Sequence, residues 1–136
     1  MIKEDNFNFS LSGLKTAVIN YVDEHKEDRD FNLSDLCASF EQAIIDVQVA
    51  KARRALQETK SKSFLFGGGV AANPSLRSAY EKMCNEEKVE MVMSPLTACG
   101  DNAAMISLVA NERYKHKNFA KLDSDVEAHA PLDVKY

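Results

Sequence analysis

The chain has 136 residues, of which 45% are hydrophobic and 28% are charged, and this length allows one domain rather than two. Its charged content and mean hydropathy of −0.34 exclude a disordered or membrane-embedded class. The sequence shows no apolar run of about 20 residues and no CxxC pair, so we expect a cytoplasmic protein with reduced thiols and no membrane contact. The 17 Lys and Arg residues against 21 Asp and Glu residues leave a net charge of −4, which excludes a surface that is basic throughout.

The first part of the chain predicts a short strand followed by two helices. Residues 7–11 alternate apolar and polar side chains, which indicates a strand. Apolar residues at helical spacing predict a helix over about 14–25. Asn32 is a favoured N-cap, and Asp35 stands three residues later in the capping-box position. They predict a second helix that runs to about Thr59 and lies across the face of a sheet.

The part of the chain from residue 63 alternates strands and helices. The apolar run 63–66 and the segment 89–93 predict strands. Asn73-Pro74 predicts the start of a helix between them, and a last helix is expected over about 101–114. This order predicts an α/β fold built on a βαβ unit, with parallel strands and a right-handed crossover. We expect one domain over 1–136 whose residues 120–136 form a surface tail.

Three of the five glycines stand together at Gly67–Gly69, directly after the predicted strand. A strand that leads through such a turn into a helix N-terminus can bind phosphate through backbone N–H groups. The segment is neither a Walker A loop nor a dinucleotide-binding motif. The alternative is a tight turn without a ligand, in which Asn73 only caps the helix. On the pattern alone, both interpretations stay open.

Asp101 follows the second predicted strand, as Asn73 follows the first. Because ligands bind at the carboxyl ends of parallel strands, we expect Asn73 and Asp101 to open onto the same sheet edge. The alternative is that Asp101 is only the N-cap of the last helix. The segment Ser12–Thr16 is a further candidate, for which a capped helix with a tight entry is the alternative.

Three further groups of residues have side chains suited to binding or catalysis. A basic stretch predicts either an RNA-facing patch or a solvated helix face; it contains Lys51, Arg53, Arg54, Lys60 and Lys62. The histidines show neither HExxH nor HxxxH spacing; they are His25, His116 and His129. The cysteines form no CxxC pair and fit reduced thiols, with the one nearest the candidate site expected to be structural; they are Cys37, Cys84 and Cys99.

Four segments in order resemble the motifs of one family. The family patterns are FSFSGLKT, D-xx-ASFQ-A, GGVAAN-xx-LR and CTDNAAMI. The matching segments here are Phe9–Thr16, Asp35–Ala43, Gly68–Arg77 and Cys99–Ile106. Together they resemble the C-terminal part of the bacterial tRNA threonylcarbamoyladenosine synthases, a family long known as glycoproteases or O-sialoglycoprotein endopeptidases.

The resemblance implies a fold, a reaction and a set of site residues. The fold would be the C-terminal part of an actin-like ATPase, or ribonuclease-H-like, half-domain. The reaction would transfer a threonylcarbamoyl group from threonylcarbamoyl-adenylate to adenosine 37 of tRNA. Gly68, Gly69 and Asn73 would bind the adenine nucleotide. Asp101 would bind a divalent metal, iron in most members, together with two histidines of an HxxxH motif. tRNA and other proteins of the same pathway would be its partners.

The chain also departs from the family pattern. Leu11 stands where the family has Phe, Glu41-Gln42 alters the helix motif, and Gly100 replaces Thr. The HxxxH histidines and the first half of the family chain have no counterpart here. We therefore expect one wall of the cleft, with no bound metal and no turnover in this chain alone, and possible assembly into a homo-oligomer.

Two other functions are weighed against the transferase fragment. A non-catalytic interaction or dimerisation module of the same pathway is the first alternative. A metallopeptidase, as the older family name suggests, is less favoured because the sequence has no HExxH motif, no triad spacing and no second acid near a metal site.

Overall fold

The computed structural model describes residues 4–125, which fall into two compact units, with the boundary along the chain between Gly100 and Asp101. The first unit contains α1 (Ser12–His25), α2 (Leu33–Thr59), β1 (Ser63–Phe66), α3 (Pro74–Glu87) and β2 (Glu90–Met93). It also contains two short 3-10 turns, Gly69–Ala72 and Leu96–Ala98. The second unit contains α4 (Ala103–Lys115). The single-domain organisation over 1–136 stays a prediction.

Helices α2 and α3 begin at the two predicted caps. Asn32 Oδ1 accepts hydrogen bonds from the backbone N–H groups of Ser34 and Asp35, at 3.0 and 3.4 Å. Asn73 Oδ1 accepts from the N–H of Leu76 at 2.8 Å. Each cap satisfies donors that have no partner within the first helical turn. The predicted starts of both helices, and the predicted end of α2 near Thr59, are confirmed.

The two strands form a parallel pair, which confirms the predicted α/β unit. Ser63 lies opposite Glu90 and Phe66 opposite Met93, with α3 as the connection between the strands. The handedness of the crossover and the actin-like assignment stay predictions. One face of the pair turns Phe64 and Phe66 towards the core. On the other face, Leu65 and its register partner Val92 are 77% and 46% exposed.

The core of the first unit lies between α2, α3 and β1. Leu76, Tyr80 and Met83 form the inner face of α3, since all three are buried. They share one apolar cluster with Leu56 of α2 and Phe66 of β1. The Tyr80 ring centroid lies 4.7 Å from that of Phe66, an edge-on arrangement that aromatic pairs favour.

The predicted strand over residues 7–11 is wrong. A strand needs a hydrogen-bonded neighbour, and within residues 4–125 the only sheet pairs β1 with β2. Side chains of α2 hold this segment instead. Lys51 Nζ donates to the carbonyl oxygen of Asn8 at 2.7 Å, and the Arg54 guanidinium lies 4.9 Å from the ring centroid of Phe7.

Helix α4 begins two residues later than expected. Its N-cap is Asn102, whose Oδ1 accepts from the N–H of Met105 at 3.1 Å. Residues 116–125 contain no helix or strand, and the rest of the expected surface tail lies outside the described residues. Within residues 4–125, each helix is too short or too polar to cross a membrane.

Candidate functional site

Residues 67–72, which follow β1, form the glycine turn, and this turn is open on its outer side. Gly68 has φ +89°, a backbone conformation that residues with a side chain rarely adopt. A Cβ added at Gly68 or Gly69 would meet no other atom within 4 Å. In the described part of the chain, the N–H groups of these two glycines have no hydrogen-bond acceptor. The turn therefore presents two backbone donors and leaves room for a ligand to approach.

Asn73, at the end of this turn, uses both ends of its side-chain amide. The oxygen caps α3, as described above, and Nδ2 donates to Oε1 of Glu41 at 2.8 Å. The second carboxylate oxygen of Glu41 accepts from the hydroxyl of Ser75 at 3.1 Å. The capping role of Asn73 is confirmed, but the sequence did not identify Glu41 as its partner. The available signal was the altered helix motif, in which Glu41 stands where the family pattern has Gln.

Arg77 joins the two loops that follow the strands. Its guanidinium donates to the carbonyl oxygen of Ala71 in the glycine turn and to that of Ser94 after β2, both at 2.7 Å. Cys99 lies beside it with 4% exposure, and its Sγ is 3.4 Å from Ser94 Oγ. Cys99 is thus a packed thiol, as expected. Neither loop can shift without breaking a bond to Arg77.

Asp101 is exposed, and Asn102 rather than Asp101 caps α4. The interpretation of Asp101 as an N-cap is therefore wrong. Asp101 and Asn73 belong to different units, so their predicted proximity stays a prediction.

The described residues provide no metal site by themselves. Within residues 4–125, no three His, Cys, Asp or Glu side chains lie close enough to hold an ion. His25 Nδ1 lies 2.9 Å from the carbonyl oxygen of Tyr21, and His116 Nε2 lies 3.2 Å from a carboxylate oxygen of Glu112. His25 therefore interacts within α1 and His116, the C-cap residue of α4, with that helix, whereas His129 lies outside the described residues.

The basic stretch divides at the end of α2, so neither interpretation holds for all of it. Lys60 and Lys62, which follow α2, are exposed as a solvated face requires, and an RNA-facing patch stays a prediction for them. The cations of α2 itself contact neighbouring segments. Lys51 is 2% exposed and bonds the N-terminal segment. Arg53 contacts Glu86 and Glu87 at 2.6 Å each. The hydrogen bonds from Gln57 and then Arg53 hold the pKa of Glu87 below its usual value. These cations are used to join α2 to its neighbours.

The Ser12–Thr16 segment begins α1 without a side-chain cap. Leu11 occupies the N-cap position, and its side chain makes no capping hydrogen bond. The interpretation of this segment as a capped helix start is therefore wrong. The Thr16 hydroxyl donates to the carbonyl oxygen of Ser12 at 3.2 Å. The segment therefore shows local helical bonding, and a ligand site there stays a prediction.

A groove of about 610 Å³ runs along α2 and α3, away from the glycine turn. Apolar and charged side chains line it, among them Ile45, Val49, Arg53, Met83 and Glu86. None of the candidate site residues takes part. The candidate site is thus an open surface at the end of β1 rather than this groove.

Known proteins match the part of the chain that contains the glycine turn and Asn73. A family model described as tRNA N6-adenosine threonylcarbamoyltransferase matches residues 1–108. A protein of that name from Oenococcus oeni is 45% identical over 91% of this chain and 37% of its own length. One from Halalkalibacterium halodurans is 42% identical over 90% of this chain and 36% of its own. One from Streptococcus pneumoniae serotype 2 is 40% identical over 98% of this chain and 40% of its own length. The chain thus spans about two fifths of the length of these relatives, and it belongs to the tRNA N6-adenosine threonylcarbamoyltransferase family.

Proposed function

We propose that this chain carries one wall of the nucleotide cleft of a transferase that moves a threonylcarbamoyl group from threonylcarbamoyl-adenylate to adenosine 37 of tRNA. The observation that supports it most is the open turn at Gly68 and Gly69, which leads into Asn73 inside the family-matched segment. The actin-like half-domain fold, the tRNA and pathway-protein partners and a cytoplasmic location belong to the same proposal.

The geometry gives each of these residues a role. The free N–H groups of Gly68 and Gly69 can donate to an anionic or carbonyl oxygen of the nucleotide. The planar Asn73 amide has two N–H donors, and one of them is left after the bond to Glu41. The segment from Gly68 to Asn73 thus offers three donors, and the start of α3 adds a helix dipole that favours negative charge.

The metal that the resemblance implies does not fit the described residues. Asp101 is the one carboxylate that matches the family ligand set, and a single exposed carboxylate holds a transition metal poorly. We propose that this chain alone yields no modified nucleoside above a no-protein control, because reactants must be held between two walls to gain from positioning.

A titration with adenosine monophosphate tests the nucleotide site. One wall leaves the ligand largely hydrated, so we expect a dissociation constant of roughly millimolar order. The variant Asn73→Ser keeps a capping oxygen but removes the amide, and it should lose measurable binding while staying folded. Asn85→Ala, at the other end of α3, is the matched control and should bind as the wild type does. Equal binding by all three proteins would show that the Asn73 amide does not bind the nucleotide.

The alternative, a non-catalytic interaction or dimerisation module, is supported by a separate observation. Leu65 and Val92 lie side by side on the sheet face that no helix of the first unit covers. Exposed apolar pairs of this kind favour association. This function and the nucleotide site use different surfaces, so one chain can have both.

A further inference from the structure

Glu41 contacts the candidate site from a distant part of the chain. It lies on α2, 32 residues before Asn73, and its two carboxylate oxygens reach the Nδ2 of Asn73 and the hydroxyl of Ser75. One carboxylate therefore joins α2 to the first turn of α3. This contact is not explained by the apolar core, which lies further along both helices.

The arrangement fixes which way the Asn73 amide faces. Its oxygen must face the N–H of Leu76, and its nitrogen must face the carboxylate of Glu41, because carboxylate oxygens only accept. A flipped amide would lose both bonds. Since bonds to a charged acceptor are stronger than neutral ones, Glu41 holds the side chain in one orientation. The position of the remaining N–H is then determined as well.

We propose that Glu41 is a positioning residue, which orients the Asn73 amide so that its second N–H faces the nucleotide. This rests on the proposed function of Asn73, which in turn rests on the turn at Gly68 and Gly69. Glu41 itself does not touch the ligand. The Gln of the family pattern has a carbonyl oxygen at the same reach, so it can accept the same hydrogen bond.

Amide NMR spectra of the ¹⁵N-labelled chain test the orientation without any ligand. In Glu41→Ala, the side-chain NH₂ signals of Asn73 should shift and their hydrogen exchange should become faster. Glu41→Gln should keep both properties close to the wild type. Glu58→Ala is the matched control, because Glu58 lies on the same helix and contacts Arg54 at 3.6 Å. Unchanged Asn73 signals in Glu41→Ala would overturn the proposal, whatever the nucleotide does.

Titration with adenosine monophosphate then tests the consequence for binding. We expect about fivefold weaker binding by Glu41→Ala, which is the effect of one ordinary hydrogen bond. Glu41→Gln should restore the affinity. If Glu41 had a purely structural role, Glu41→Ala would lower the melting temperature without changing the affinity relative to the wild type. Wild-type affinity in Glu41→Ala would overturn the positioning role. If even the wild type binds no nucleotide, the proposed function fails, while the NH₂ signals still decide whether Glu41 orients Asn73.

Discussion

Arg77 is the residue that connects the two loops at the ends of the strands. Its two nitrogens donate to carbonyl oxygens that belong to different loops, at 2.7 Å each. Both hydrogen bonds are partly buried, so without Arg77 each carbonyl oxygen would lose a partner that water replaces only in part. The stability of the turn that leads to Asn73 therefore depends on a side chain outside the turn.

We expect Arg77→Ala to lower the free energy of unfolding by about 3–6 kcal/mol, the effect of two hydrogen bonds to a charged group. Arg77→Lys keeps the charge but cannot bridge both oxygens, so its loss should be smaller. Urea denaturation of the three proteins measures the difference. A loss below about 0.5 kcal/mol in Arg77→Ala, as is usual at an exposed position, would show that the bridge contributes nothing.

Tyr80 makes the stability of the fold decrease at alkaline pH. Burial, followed by the neighbouring Cys84, raises the pKa of Tyr80 to about 12. The folded state thus favours the neutral phenol. Its contribution is fully present below the ordinary pKa of about 10 and is lost as the pH rises towards the folded value. Within that window the wild type should lose stability more steeply than Tyr80→Phe, which has no phenol to ionise. Melting temperatures across the window measure this, and parallel curves would contradict it.

At the scale of elements, local signals were sufficient where one residue determines the structure. Asn32 and Asn73 begin helices through bonds to their own following N–H groups, so the sequence alone predicted both starts. The segment 7–11 has the alternation of a strand but no neighbouring strand within residues 4–125, and nothing in its own residues reveals that. The partners of Lys51 are likewise distant in sequence.

The candidate site was predicted to the same extent. The glycine turn and Asn73 form one continuous segment, and their conformation follows from glycine freedom and capping. Glu41 could not be predicted as a partner, because its contact depends on how α2 packs against α3. For Asp101, two neighbouring residues were both able to cap α4, and the capping bond is made by Asn102.

The uncovered sheet face predicts association at the element scale. Leu65 and Val92 are exposed register partners, and burying them against a second copy would remove apolar surface from water. We expect the chain to elute from size-exclusion chromatography, with light scattering, above its mass of 15.2 kDa. Leu65→Lys should shift it to the monomer, and Leu33→Lys, which changes an exposed leucine at the start of α2, should not. A wild-type monomer at every concentration would contradict this prediction.

At the scale of the whole molecule, the chain matches its family over residues 1–108 and spans about two fifths of the relatives' length. The first unit contains the glycine turn, Asn73, Glu41 and Arg77, and these residues bond to one another without any residue from outside the unit. A nucleotide site that depends on them should therefore be retained in this chain, even where turnover is not.

The wall formed by the glycine turn and Asn73 is proposed to bind an adenine nucleotide. The most direct test of this binding is the ¹H–¹⁵N spectrum of the chain, recorded with increasing adenosine monophosphate. We predict saturable shifts of the Gly68 and Gly69 amides and of the Asn73 side-chain NH₂, all with one dissociation constant. Signals of this turn that stay unchanged while others shift, or that do not respond at all, would contradict the claim.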